Sequence, residues 1–81
     1  MTIVLSNRAA NAVADAPVPV RTAFYKQLRF LASDLNHPSL RAKKYDESND
    51  VWQARVNKSW RFYFTIEGGT CFITDVIPHP K

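Results

Sequence analysis

The sequence has one cysteine, two glycines and no apolar run longer than a few residues. Cys71 has no partner within the chain, so no internal disulfide can stabilise a domain of 81 residues. A lone thiol and the lack of a signal-peptide pattern predict a reducing, cytoplasmic location. The apolar runs are far shorter than the roughly 20 residues that cross a bilayer, which predicts no membrane insertion.

The usual sequence motifs for metal and phosphate binding are also missing. No His, Cys and carboxylate residues have metal-ligand spacing, no glycine-rich phosphate loop is present, and no Ser-His-Asp set can be assembled. We therefore expect no metal and no small-molecule cofactor. If the protein is an enzyme, its chemistry must come from basic side chains.

Basic residues are in excess: the 11 Lys and Arg outnumber the 7 Asp and Glu, which gives a net charge of +4. This balance predicts a polyanionic or acidic partner. Three of the acids, Asp46, Glu47 and Asp50, fall in one short stretch and leave its flanks basic. Five Phe, three Tyr and two Trp supply a core, which favours a single folded domain over residues 1–81 rather than a disordered basic tail.

The N-terminal half predicts a strand followed by two helices. Thr2–Leu5 is an apolar, β-branched-rich run, and Ser6 can cap an alanine-rich helix over Arg8–Asp15. Pro19 suits the first turn of a second helix, and Asn36–Pro38 ends it. The apolar residues of this second helix share one face: Val20, Phe24, Leu28, Leu31 and Leu35.

The C-terminal half predicts a meander of strands. Leu40–Asp50 is interpreted as a polar connector, and the β-rich runs Val51–Val56, Trp60–Ile66 and Cys71–Ile77 are separated by short turns. The predicted fold is α+β in the order β-α-α-β-β-β. Its two N-terminal helices pack on one face of a four-stranded, largely antiparallel sheet.

The turn between the first two strands of this meander sets which side chains share a face. A three-residue turn over 57–59 pairs Val56 with Trp60, so Arg55 lies opposite Arg61 and Gln53 lies opposite Tyr63. We call the side of the sheet that carries these last four residues the arginine face. The other side, predicted to meet the helices, carries Trp52, Ala54, Val56, Trp60, Phe62 and Phe64.

The pair formed by Arg55 and Arg61 has two interpretations. Opposed like charges destabilise a sheet, and nothing in sheet packing requires them. The functional interpretation is a phosphate-binding surface, because guanidinium is always charged and can bind phosphate with two hydrogen bonds. Tyr63 and Gln53 beside it are then candidate RNA contacts, with Tyr63 stacking on a base. The alternative is an ordinary solvated face that carries two arginines.

Other basic residues extend the candidate surface. Arg41, Lys43 and Lys44 form a cluster upstream of the strands, which is either a solvated loop or part of a groove for an RNA backbone. Lys58 in the first hairpin turn is a further candidate RNA contact. His79 follows the last strand, where an imidazole can act in acid–base catalysis, although a lone histidine near a terminus is more often a bystander.

The second hairpin turn determines the face of the last strand. A two-residue turn at Gly68-Gly69 predicts Glu67 opposite Thr70 and Arg61 opposite Val76, with Asp75 directed toward the helices. A three-residue turn would instead place Asp75 on the arginine face. In both cases the prolines at 78 and 80 are expected to end regular pairing before His79. His37 is interpreted as a surface turn residue and Cys71 as core filler.

An ordered series of segments resembles a known family. His37–Arg41, Lys43-Lys44, Trp52–Val56 and Trp60–Phe64 are together similar to the RelE/ParE toxin superfamily of bacterial type II toxin–antitoxin systems. The order of strand, two helices and three strands matches that family over nearly the whole chain.

The resemblance implies a microbial RNase-like fold and a site. In the RelE branch it implies metal-independent cleavage of mRNA in the ribosomal A site, in which the 2′-hydroxyl attacks and leaves a 2′,3′-cyclic phosphate. By position, Arg61 matches the phosphate-stabilising arginine, Arg55 a basic residue on the preceding strand, and His79 a catalytic histidine or arginine. The sequence departs from the family pattern at two positions: Gln53 stands where some members carry a second lysine, and Lys81 is not followed by the C-terminal tyrosine that other members use.

The resemblance also implies partners: a cognate antitoxin, the ribosome and mRNA. The resulting expectation is a toxin that inhibits translation as an endoribonuclease. The alternative is the ParE branch, whose members share the fold and poison DNA gyrase without nuclease activity. Arg55, Arg61 and His79 favour the nuclease, since a pure binding protein needs no histidine at that position.

Overall fold

The first strand precedes two helices, and four further strands follow them in the computed structural model, which describes residues 1–79. The elements are β1 (Thr2–Leu5), α1 (Asn7–Asp15), α2 (Val18–Ser33), β2 (Lys43–Asp46), β3 (Val51–Arg55), β4 (Trp60–Glu67) and β5 (Thr70–Pro78). The α+β class and the two helices are as predicted. No helix within residues 1–79 combines the length and apolar character needed to cross a membrane.

Both helices begin and end close to the predicted residues. The Ser6 hydroxyl accepts a hydrogen bond from the Ala9 N–H at 3.0 Å, which confirms it as the cap of α1. Pro19 lies in the first turn of α2, as predicted. That helix ends at Ser33, so Leu35 lies beyond it and packs against the core from the following turn.

The sheet has five strands rather than the predicted four, in the order β1-β5-β4-β3-β2. β1 is parallel to β5, and the remaining pairs are antiparallel. The extra strand, β2, lies within the stretch interpreted as a polar connector. Its sequence, Lys-Lys-Tyr-Asp, lacks the apolar residues that would predict a strand. β2 is an edge strand, where charged side chains discourage pairing between molecules.

The first hairpin has the predicted register. Arg55 lies opposite Arg61, Gln53 opposite Tyr63 and Ala54 opposite Phe62. In the second hairpin Glu67 pairs with Thr70 as predicted, across two glycines with φ of 53° and 79°. These positive φ values favour glycine, which adopts them without steric cost.

Farther along, a bulge changes the register of β5. Phe64 lies opposite Ile73 while its neighbour Tyr63 lies opposite Asp75, so Thr74 is an extra residue in the strand. Arg61 therefore faces Ile77 and not Val76. The prediction that Asp75 and Ile77 point toward the helices is wrong: both lie on the arginine face, while Val76 is buried on the other side opposite Phe62.

The core lies between the helices and the opposite face of the sheet. The Phe24 ring on α2 meets the Phe62 ring edge-on, with 5.5 Å between centroids. Leu28 and Trp52, predicted as core, are only partly buried against it. Burial raises the pKa of the Cys71 thiol to about 11, so it stays protonated at neutral pH and acts as core filler. The largest fully buried side chains are Phe24, Phe62, Phe64, Leu31, Leu40, Ile73, Val76 and Cys71.

Candidate nucleic-acid interface

A cleft of about 210 Å³ opens on the arginine face and brings six of the nine predicted site residues together. We call it the basic cleft. None of the described residues that line it is acidic, so its positive potential is not neutralised from within and favours an anionic ligand. Its lining comprises Arg41, Lys43, Gln53, Ala54, Arg55, Arg61 and His79.

Arg61 is anchored at one end of its guanidinium and free at the other. Its Nη1 donates to the carbonyls of Asn57 at 2.8 Å and Trp60 at 3.0 Å. Partial burial lowers the pKa of Arg61, and the charges of Arg55 and Arg41 lower it further, but a guanidinium still stays charged at neutral pH. Within residues 1–79, no atom accepts a hydrogen bond from its Nε or Nη2. These N–H groups are available to bind a phosphate in the fork geometry typical of arginine.

The backbone that carries Arg55 is tied to a helix and to the preceding loop. The Arg55 N–H donates to the Leu40 carbonyl at 2.8 Å, and the buried Gln27 amide on α2 donates to the Arg55 carbonyl at 2.8 Å. Gln27 also donates to the Ser39 carbonyl at 2.9 Å. This role of Gln27 was not predicted from the sequence. The available signal was a polar residue on the apolar face of α2, between Phe24 and Leu31.

Arg41 reaches the cleft through an unusual backbone conformation. Its φ is 47°, in the left-handed region that non-glycine residues adopt at a cost of about 1–3 kcal/mol. The preceding Leu40 is fully buried and fixes the chain at this point. Arg41 is thus held beside Arg55, which it joins in the lining of the basic cleft.

His79 directly follows β5 and lines the basic cleft. Trp60 is paired with Pro78, and the His79 N–H donates to the Ser59 carbonyl at 2.7 Å. The prediction that regular pairing ends before His79 is confirmed, since β5 ends at Pro78. Pro80 lies outside the described residues. The backbone contact with Ser59 holds His79 beside the β3–β4 turn, and its exposed side chain lines the cleft together with Arg61.

Gln53 connects the basic cleft to two tyrosines. Its side chain is largely buried, and its Nε2 donates to the Tyr63 hydroxyl at 2.9 Å. The Tyr63 ring meets the Tyr45 ring at 4.9 Å in an edge-on arrangement. Tyr63 thus lies next to the cleft but does not line it. Tyr45 was not among the predicted site residues, because its place beside Tyr63 depends on the pairing of β2 with β3.

Two of the predicted basic contacts lie outside the cleft. Lys44 is paired with Trp52 and lies 5.3 Å from its ring, on the side away from the arginine face. Its Nζ donates to Asp50 at 2.6 Å, and this hydrogen bond raises the pKa of Lys44. Lys58 is exposed in the β3–β4 turn and contributes its carbonyl, 3.5 Å from Arg61 Nη1.

The other histidine has a structural role, as the sequence indicated. The His37 ring stacks on Phe30 with 3.8 Å between centroids, and its Nδ1 accepts a hydrogen bond from the Ser39 N–H at 3.2 Å. Among residues 1–79, no three His, Cys, Asp or Glu side chains are grouped so as to hold a metal ion.

Solved structures of toxins share this fold, although no protein-family model matches the chain and no curated protein is similar to it in sequence. A YoeB/ParE toxin from Agrobacterium tumefaciens superposes with a TM-score of 0.81 at 10% identity, covering 99% of this chain and 100% of that one. A chain of the archaeal RelE–RelB complex from Pyrococcus horikoshii gives 0.79 at 13% identity, covering 95% and 92%. A chain of the RelBE2 toxin–antitoxin complex from Mycobacterium tuberculosis gives 0.69 at 21% identity, covering 96% of both. The chain therefore has the fold of the RelE/ParE toxins, as the resemblance implied.

Proposed function

We propose that this chain is the toxin of a type II toxin–antitoxin system and cleaves mRNA in the ribosomal A site. The observation that carries the proposal is the basic cleft, which combines Arg55, Arg61 and Lys43 with an imidazole from His79. The fold shared with RelE and YoeB toxins supports the same assignment. Ribosomes and mRNA place this activity in the cytoplasm.

The proposed chemistry is an internal transfer at phosphorus. The RNA 2′-hydroxyl attacks the neighbouring phosphorus and loses its proton, the bond to the 5′-oxygen breaks, and that oxygen takes up a proton. The products are a 2′,3′-cyclic phosphate and a 5′-hydroxyl end. Negative charge grows on the non-bridging oxygens in the transition state, where Arg61 and Arg55 stabilise it. His79 supplies one of the two proton transfers.

Induction of the chain in bacteria tests this function. We expect translation to stop, with new 5′-hydroxyl ends that map to mRNA codons in frame. Mapping of RNA ends should be combined with an assay for DNA breaks in the same cells. DNA damage with intact mRNA would overturn the nuclease proposal in favour of gyrase poisoning, the activity of the ParE branch.

Replacing His79 with Gln is expected to reduce mRNA cleavage by roughly a hundredfold or more, the usual scale for losing acid–base assistance. Ribosome affinity should change much less, because the side chain is exposed and the Ser59 contact uses the His79 backbone N–H. Cleavage rates on programmed ribosomes and binding to the same ribosomes measure the two effects separately.

His37→Gln provides the control for His79→Gln, since it removes the other imidazole of the chain. It alters the contact with Phe30 and is expected to affect stability, not the cleavage rate per folded molecule. Wild-type cleavage by His79→Gln would remove this residue from the site.

A small acidic antitoxin encoded beside this chain is expected to bind it tightly and cover the arginine face. A net charge of +4 and an acid-free basic cleft suit a partly disordered acidic segment. Affinity should fall as salt rises, and Arg55→Ala should weaken it more than Arg29→Ala on the exposed side of α2. Co-purification followed by binding measurements at low and high salt provides the test. Salt-independent affinity would contradict this picture.

A further inference from the structure

A second concavity of about 300 Å³ lies beside the basic cleft on the arginine face. Tyr63 lines it and accepts a hydrogen bond at its hydroxyl from Gln53, which lines the basic cleft. Its chemistry differs from that of the basic cleft, because it combines aromatic and apolar groups with a carboxylate that is paired with an arginine. It is lined by Arg8, Tyr45, Val51, Tyr63, Thr74, Asp75 and Ile77. We call it the tyrosine pocket.

Two aromatic rings form one wall of the tyrosine pocket. Tyr45 is 62% exposed, although it packs edge-on against Tyr63 at 4.9 Å. The hydrogen bond from Gln53 fixes the Tyr63 hydroxyl and, with it, the ring. A large aromatic surface that is held in place yet open to solvent suits the stacking of a planar ligand.

Asp75 supplies the carboxylate of the pocket. Its Oδ1 accepts a hydrogen bond from the Val76 N–H at 2.9 Å, which fixes the orientation of the carboxylate. Its Oδ2 lies 3.9 Å from Nη1 of Arg8, whose side chain is 78% exposed, so solvent weakens this ion pair. Asp75 stands directly opposite Tyr63, and it does so only because of the bulge at Thr74.

We propose that the tyrosine pocket binds one nucleobase of the RNA and prefers guanine. The inference rests on the proposed function, since it assigns part of the same substrate to a second subsite. Tyr63 and Arg61 lie two residues apart on the same face of β4, a separation of about 7 Å. A base stacked on Tyr63 therefore belongs to the same nucleotide as the phosphate held by Arg61, or to the neighbouring one.

The preference for guanine follows from the carboxylate. Guanine presents two neighbouring donors, N1–H and N2–H, which match the two oxygens of Asp75. Adenine and cytosine each offer an amino donor next to an acceptor nitrogen, and the lone pair of that nitrogen is repelled by the second carboxylate oxygen. In uracil the single ring N–H lies between two carbonyl oxygens, which the carboxylate repels. We therefore expect guanine to bind most tightly and uracil least.

Binding of four 2′-O-methyl trinucleotides, with G, A, C or U between two adenosines, tests the pocket. The methyl group blocks the attacking hydroxyl, so affinity is measured whether or not the chain cleaves RNA. We expect the guanine trinucleotide to bind on the order of tenfold more tightly than the uracil one. Asp75→Asn should abolish this preference, whereas Asp15→Asn, which removes an exposed carboxylate on α1, should retain it.

Substitutions at Tyr45 test the stacking wall. Tyr45→Leu should weaken all four trinucleotides by about tenfold, and Tyr45→Phe should restore affinity because the ring is kept. Equal affinities for the four bases in the wild-type chain, or a guanine preference that survives Asp75→Asn, would overturn the proposal. So would a loss of antitoxin binding in Asp75→Asn with unchanged trinucleotide affinities, which would make the pocket a protein-docking site. Intact mRNA in induced cells, with guanine-selective binding retained, would instead overturn the nuclease assignment alone.

Discussion

Replacing Arg61 with Ala is expected to lower the cleavage rate by on the order of a hundredfold or more while the chain stays folded. Arg61 is the arginine whose Nη1 is fixed by two carbonyls and whose remaining N–H groups are free to bind phosphate. A donor held in position before the reaction stabilises the transition state without a reorganisation cost. Single-turnover cleavage on programmed ribosomes measures the loss, and thermal unfolding checks the fold.

Two further variants sharpen this test. Arg29→Ala removes the same charge from the exposed side of α2 and should leave the cleavage rate unchanged. Arg61→Lys keeps the charge without the planar fork and should recover only part of the lost rate. Full growth inhibition by a well-folded Arg61→Ala protein would contradict the assignment.

The stability of the Arg61→Ala variant depends on two opposing effects. Removing one of two opposed arginines relieves repulsion, which from sequence alone predicts a slight gain. The hydrogen bonds to the Asn57 and Trp60 carbonyls are lost at the same time. Hydrogen bonds to a charged group contribute about 1.5–3 kcal/mol in favourable settings and less where solvent competes. We therefore expect the melting temperature to change little.

Replacing Phe62 with Ala is expected to lower the free energy of unfolding by about 3–5 kcal/mol, a large part of the 5–15 kcal/mol typical of a small domain. The Phe62 ring is fully buried between the rings of Phe24 and Phe64, at 5.5 and 5.7 Å. Its removal leaves a cavity that the rigid sheet cannot close. Urea unfolding followed by circular dichroism gives the value.

Phe72→Ala is the matched control for Phe62→Ala. Phe72 lies on β5 but is 37% exposed, so its truncation leaves no enclosed cavity and should cost far less. A Phe62→Ala protein with an unchanged unfolding midpoint would contradict the placement of this ring in the core.

Features that depend on residues close together in the chain could be predicted from the sequence. The N-cap at Ser6, the helical spacing around Phe24 and the register that opposes Arg55 to Arg61 all follow from short-range patterns, and the structure confirms them. Gln53, Arg55 and Arg61 come together in the basic cleft because of this register.

The missed features depend on tertiary context. β2 is a charged edge strand, so no apolar alternation indicated it, and Lys44 was wrongly grouped with Lys43 although the two point to opposite faces. The bulge at Thr74 is stabilised by distant groups. The Ser6 hydroxyl donates to the Thr74 carbonyl at 3.1 Å, and the Thr74 hydroxyl donates to the Tyr63 carbonyl at 3.2 Å. Tyr45 and Asp75 were overlooked as site residues for these two reasons.

The parallel pairing of β1 with β5 has a consequence for the order of folding. β1 and β5 are the first and the last of the described strands, and two helices and three strands lie between them in the chain. Contacts this distant in sequence form late in folding. The strand that presents Asp75 and leads to His79 therefore gains its second neighbour only when folding is almost complete.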